Sequence, residues 1–245
     1  MSLQSEHRDI SESVSKDKTS IGLVDTYKYF EEICIQDLYQ MEGCIKRFKN
    51  LKKIIVHYKY KHIYDKLLLQ CCNNFKELEI VWSKNFDINL LKNNSCLESL
   101  TIKYITGKMD FNVISTMSGL KHLNLCVHFR NQLDNLEFLK NNKKLENLEI
   151  YSALLSDLTP LENMPLKYLT ISSSNVTCIS PLRKIKSLKY LNLTANDINN
   201  WCPLKNHPSL TVIKMSDLTY NCSNDLDGIV DIFVTIPYLK LISGD

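Results

Sequence analysis

Apolar residues recur along this chain in one short arrangement: apolar, two others, apolar, one other, apolar. The clearest copies begin at Leu145 (Leu148, Ile150), Leu166 (Leu169, Ile171), Leu188 (Leu191, Leu193) and Leu210 (Ile213, Met215). Weaker copies begin at Phe30 (Ile33, Ile35), Leu51 (Ile54, Val56), Phe75 (Leu78, Ile80), Leu97 (Leu100, Ile102) and Leu120 (Leu123, Leu125), and a last one at Leu239 (Ile242). The starts are therefore 30, 51, 75, 97, 120, 145, 166, 188, 210 and 239, separated by 21 to 29 residues. Alternation within each copy has the period of a β-strand, so positions 4 and 6 face inward, positions 3, 5 and 7 face outward, and position 8 closes the strand. A fixed period in the twenties marks a stack of units, none of which can bury its apolar side alone.

The segments between strands have a different period. Ile179, Leu182 and Ile185 precede Leu188 at intervals of three, as Phe111, Ile114 and Met117 precede Leu120. Residues three apart eclipse on a 3₁₀ helix, so short 3₁₀ turns are expected there. The last linker has room for an α-helix over Asp225–Thr235, which Pro237 would stop. Residues 1–19 are polar and read as a disordered tail ahead of a solenoid over 20–245, about nine repeats and a partial one.

The run from Leu169 to Leu188, with Ile171, Val176, Ile179, Pro181, Leu182 and Ile185 at fixed places, resembles the leucine-rich repeat family. It is most similar to the 22-residue subclass of phosphatase-1 regulatory subunits and internalins. Asn196 matches the family's ladder asparagine; the corresponding sites elsewhere hold Ser83, Ile105, His128, Ala153, Ser174 and Leu218. The resemblance implies an α/β solenoid, with a curved parallel sheet on the concave face and 3₁₀ turns or short helices on the convex face.

Charge and cysteines narrow the setting. Thirty basic residues against 27 acidic leave a net charge of +3, which gives no basic stripe for nucleic acid. No apolar run reaches the ~18–20 residues of a membrane span, and no secretory signal opens the chain. The nine cysteines are odd in number and follow no spacing, so free thiols, a reducing compartment and a cytoplasmic location are expected.

No constellation for catalysis emerges. His122 and Cys126 share a strand face but sit four residues apart, roughly 13 Å, where a nucleophile and base need about 3 Å. His122, Cys126 and His128 lack a zinc spacing and a fourth ligand. A non-enzymatic module without cofactor or metal is expected, monomeric, with a protein partner on its concave sheet and neither nucleic acid nor membrane. The alternative is the substrate-recognition part of a larger enzyme, such as a ubiquitin ligase or phosphatase complex.

Two outward clusters are the candidate contact residues. Tyr58, Trp82 and Tyr104 hold position 8 on three successive strands, close to His57 and Lys103. Tyr168 and Tyr190 hold position 3 on neighbouring strands, with Tyr151 one strand away. Exposed Tyr and Trp are enriched in binding hot spots, although cross-strand aromatic pairs also simply stabilise a sheet.

Overall fold

A computed structural model describes residues 32–35, 52–57, 75–81, 86–105, 108–127, 133–198, 200–216, 226–236 and 238–244. The tail expected over 1–19 lies outside them. Ten strands form one sheet in which each pairs in parallel with the next along the chain. They are β1 (Glu32–Ile35), β2 (Lys53–His57), β3 (Glu77–Val81), β4 (Ser99–Ile105), β5 (His122–Val127), β6 (Asn147–Tyr151), β7 (Tyr168–Ser172), β8 (Tyr190–Asn192), β9 (Val212–Ser216) and β10 (Lys240–Gly244). Short 3₁₀ turns at Ile88–Leu91, Phe111–Thr116, Glu137–Leu139, Thr159–Leu161, Ser180–Lys184 and Cys202–Leu204 bring the chain back to the next strand. The last return is an α-helix, α1 (Leu226–Thr235), as its longer linker foretold. Among the described residues no helix is long and apolar enough to cross a membrane.

The register explains the core. Leu100, Leu123, Leu148, Leu169, Leu191 and Ile213 stand side by side at position 4, and all are buried. They join one continuous apolar cluster with the turn residues Leu91, Ile114, Leu139, Leu161, Leu182 and Leu204. Each coil thus shares its core with the coils on either side, as a stacked repeat requires.

Three features of the return path were not visible in the apolar pattern. An Asx turn opens the coil's 3₁₀ segment at Asp87, Asp110, Asn135, Asp157 and Asn200, whose side-chain oxygens accept from the N–H two residues on. Cys178 holds the same place and bonds the Ser180 hydroxyl instead. Buried polar side chains at the base of the turns tie one coil to the previous one: Asn142 Nδ2 donates to the carbonyls of Ile114 and Met117, and His207 Nε2 meets the Ile185 carbonyl at 3.0 Å. Burial holds the His207 imidazole below its ordinary pKa, toward the neutral form. Gly119 lies so close to the preceding coil that a Cβ there would stand 2.3 Å from the Ser95 carbonyl oxygen.

One inward assignment changes, in the last strand. The apolar pattern put Ile242 at the inward position 4 of the last strand. In the structure Leu241 pairs with Ile213 and Ile242 pairs with Lys214, so Lys240 and Ile242 face outward. A one-residue slip exchanges the faces of a strand, and the 29-residue final repeat absorbs it. Thr170 and Val81, at outward positions, are nevertheless buried among their neighbours.

Candidate functional site

Among the described residues, the turns and α1 cover one face of the sheet and leave the other to its own side chains. Lysines and glutamates dominate the N-terminal part of that open face. Lys103 Nζ donates to Glu79 Oε1 at 2.6 Å, one strand away, and Lys53 approaches the same carboxylate at 4.0 Å. Lys103 is thus an ion-paired member of the face. Tyr104 follows it at an irregularity in the β4–β5 register, with φ of 56°, and the residue is 46% exposed. Ser152, Ser173 and Ala195 adopt the same left-handed conformation at the same position of later coils. In these four coils position 8 is therefore a backbone corner, lying within β4 in the case of Tyr104, and Tyr104 projects from that corner.

His57 ends β2 in register with Val81. Tyr58 and Trp82 lie outside the described residues, so Tyr104 alone represents that expected stripe. The second group comes together as the spacing implied. Tyr168 and Tyr190 are direct cross-strand partners with ring centroids 6.4 Å apart and planes tilted by 38°. Tyr168 is 49% exposed. Tyr151 is partly buried, and its hydroxyl donates to Glu149 Oε2 at 3.0 Å, where Asn124 Nδ2 also donates at 2.9 Å. Burial, reinforced by the Glu149 charge, pushes the Tyr151 phenol up to about 12.

One edge of the sheet carries a charge row that the apolar pattern did not reveal. The residue after each copy's first apolar residue is Lys76, Glu98, Lys121, Glu146 and Lys167 on successive coils. Glu98 accepts from both Lys76 and Lys121 at 2.7 Å, and Glu146 accepts from Lys167 at 2.8 Å. The hydrogen bonds from Lys121 and Lys76 hold the Glu98 carboxyl at about 2, well below the ordinary 4.5. A carboxylate held below its unfolded-state value stabilises the fold above that value and loses the contribution as pH falls toward the folded one. Glu98→Gln should therefore lower the melting temperature at neutral pH, by less than about 1 kcal/mol in stability because the pairs are exposed. Thermal unfolding should show the difference between parent and variant shrinking between pH 4.5 and about 2; a difference independent of pH would contradict the pairing.

Among the described residues, no three His, Cys, Asp or Glu side chains gather to hold a metal. Cys96, Cys126, Cys178 and Cys202 are free thiols. Cys178, on the turn side of the coil, is shifted below its ordinary pKa by its bond to Ser180.

No protein-family model matches the sequence, and no curated protein matches it. Solved structures do match. A crystal structure of an internalin C2 from Listeria monocytogenes gives a TM-score of 0.53 at 22% identity, over 70% of this chain and 74% of that one. The structure of a TLR13–ssRNA13 complex gives 0.59 at 14% identity, over 90% of this chain and 37% of that one. At these identities the likeness is one of fold.

Proposed function

We propose that this chain, a leucine-rich repeat solenoid, is a non-enzymatic module that binds a protein partner across the open face of its sheet. Parallel sheets are normally covered on both faces. Here the turns and helix cover one, and the other keeps large rings in solvent. The observation that carries the reading is the cross-strand pair Tyr168 and Tyr190, with Tyr168 half exposed on a strand packed firmly from behind. Such a ring gains contact area from a partner at little ordering cost, because the strand already fixes its backbone.

Tyr168→Ala combined with Tyr190→Ala should reduce partner capture, by proximity labelling or pull-down, by at least about tenfold, as loss of a hot spot does. The melting temperature should stay within a few degrees of the parent's, since both rings lie outside the core. Arg183→Ala, on the turn side, should leave capture unchanged. Equal capture by the tyrosine variant and the parent would overturn the proposal.

A further inference from the structure

The open face divides into two electrically different halves. On β3–β6 it carries Glu77, Glu79 and Glu149 against Lys103, with Lys53 approaching Glu79 from β2. On β7–β10 the outward positions hold Tyr168, Tyr190, Val212, Lys214, Lys240 and Ile242, with hydroxyl and amide side chains between them and, among the described residues, no carboxylate. Lys189 stands at the edge of the same half. In the charge row its neighbours are Lys167, already held by Glu146, and Thr211, so the alternation of signs stops there. Among the described residues no ion pair holds Lys189, Lys214 or Lys240.

We infer that this C-terminal half receives a short acidic segment of a protein partner. Its carboxylates meet Lys189, Lys214 and Lys240, and an aromatic or aliphatic side chain lies among Tyr168, Tyr190, Val212 and Ile242. The inference rests on the open face being the protein-binding surface and names the chemistry of the occupant. Charge complementarity selects that occupant: uncompensated lysines attract carboxylates, while the glutamates of β3–β6 repel them, which fixes where along the solenoid an acidic segment settles. Four strands at ~4.8 Å place the outermost of these side chains about 14 Å apart, the reach of four or five extended residues. The apolar members favour a peptide over a nucleic acid strand. Val212 and Ile242 offer nothing to the edge of a base, and the two tyrosine rings are tilted rather than set parallel for successive bases.

Selection from a random-peptide display library on the full chain tests this. The enriched peptides should combine Asp or Glu with Phe, Tyr, Leu or Ile, and bind more weakly as salt rises. Lys214→Glu with Lys240→Glu should weaken them by at least about tenfold, as reversal of complementary charge does. Neutral or basic peptides, acidic peptides indifferent to the lysine variant, a selection that enriches nothing, or displacement of the peptides by a uridine oligonucleotide would each overturn the inference. Non-acidic peptides that lose binding in the Tyr168→Ala, Tyr190→Ala variant would leave the open-face reading standing and remove only the acidic occupant. Peptides indifferent to both variants would remove both.

Discussion

Leu148→Ala should lower the unfolding free energy by about 2–5 kcal/mol, the range for truncating a buried leucine. The side chain is fully buried in the middle of β6, with Leu123 and Leu169 in register on either side. A coil cannot close on the vacancy without dragging both neighbours, because every coil shares its inner face with the next. Urea unfolding followed by circular dichroism measures the loss. A value below about 1 kcal/mol would mean that position 4 does not point into the core. The damage should be shared across the stack, since stability in a repeat array passes through its interfaces.

Asn196→Ala is the second large effect expected, roughly 2–4 kcal/mol from buried backbone groups that lose their partner. Asn196 is nearly inaccessible, and its amide Nδ2 donates to the carbonyls of Ile171, Leu193 and Thr194 while Oδ1 accepts from Val176 N–H. One side chain thus stitches two coils, and alanine leaves a buried N–H with no acceptor. Hydrogen exchange at the Val176 amide should accelerate in the variant along with the fall in melting temperature. Unchanged protection at Val176 would contradict the role. The corresponding sites Ala153 and Ser174 make no such bridge, and backbone bonds such as Leu154 N–H to Leu133 and Asn175 N–H to Leu155 hold their coils together. The Ser174 hydroxyl is buried without a partner.

These two sites show what a sequence of this kind discloses. Inward apolar residues repeat with period two inside a longer period of 21 to 29 residues, so a stack of parallel strands, and the register of β1 to β9, followed from the chain. Asn196 was legible because it stands at the ladder position of a clear copy of the motif, the one that begins at Leu188. The register of β10 was not. Leu239 and Ile242 satisfy the apolar pattern as well as Leu241 does, and only hydrogen bonding to β9 decides between two faces one residue apart. Asn142 and His207 were hidden for the opposite reason: they occupy places where Met117 and Ile185 serve in other coils, so a buried polar residue breaks the apolar signal. The face suffered most from averaging. A net charge of +3 describes the whole chain and conceals a carboxylate-bearing half beside a lysine-bearing one. The tyrosines at position 3 were found by spacing alone. Lys214 occupies position 5 of the copy that begins at Leu210, but Lys240 and Ile242 join it only in the register that β10 adopts.

The charge row along the sheet edge also bears on how such a chain can change length. Because neighbouring coils meet with position 4 against position 4, excising a whole coil leaves the inward core positions of the strands matched. The ion pairs are less forgiving. Loss of residues 166–187 would set Lys189 beside Glu146, in the place Lys167 now occupies, and opposite charges would still face each other. Loss of residues 97–119 would set Lys121 beside Lys76, two cations with Glu98 gone from between them. The row thereby ranks the coils as units of gain and loss: some are interchangeable, and the one that carries Glu98 is tied to its place in the order.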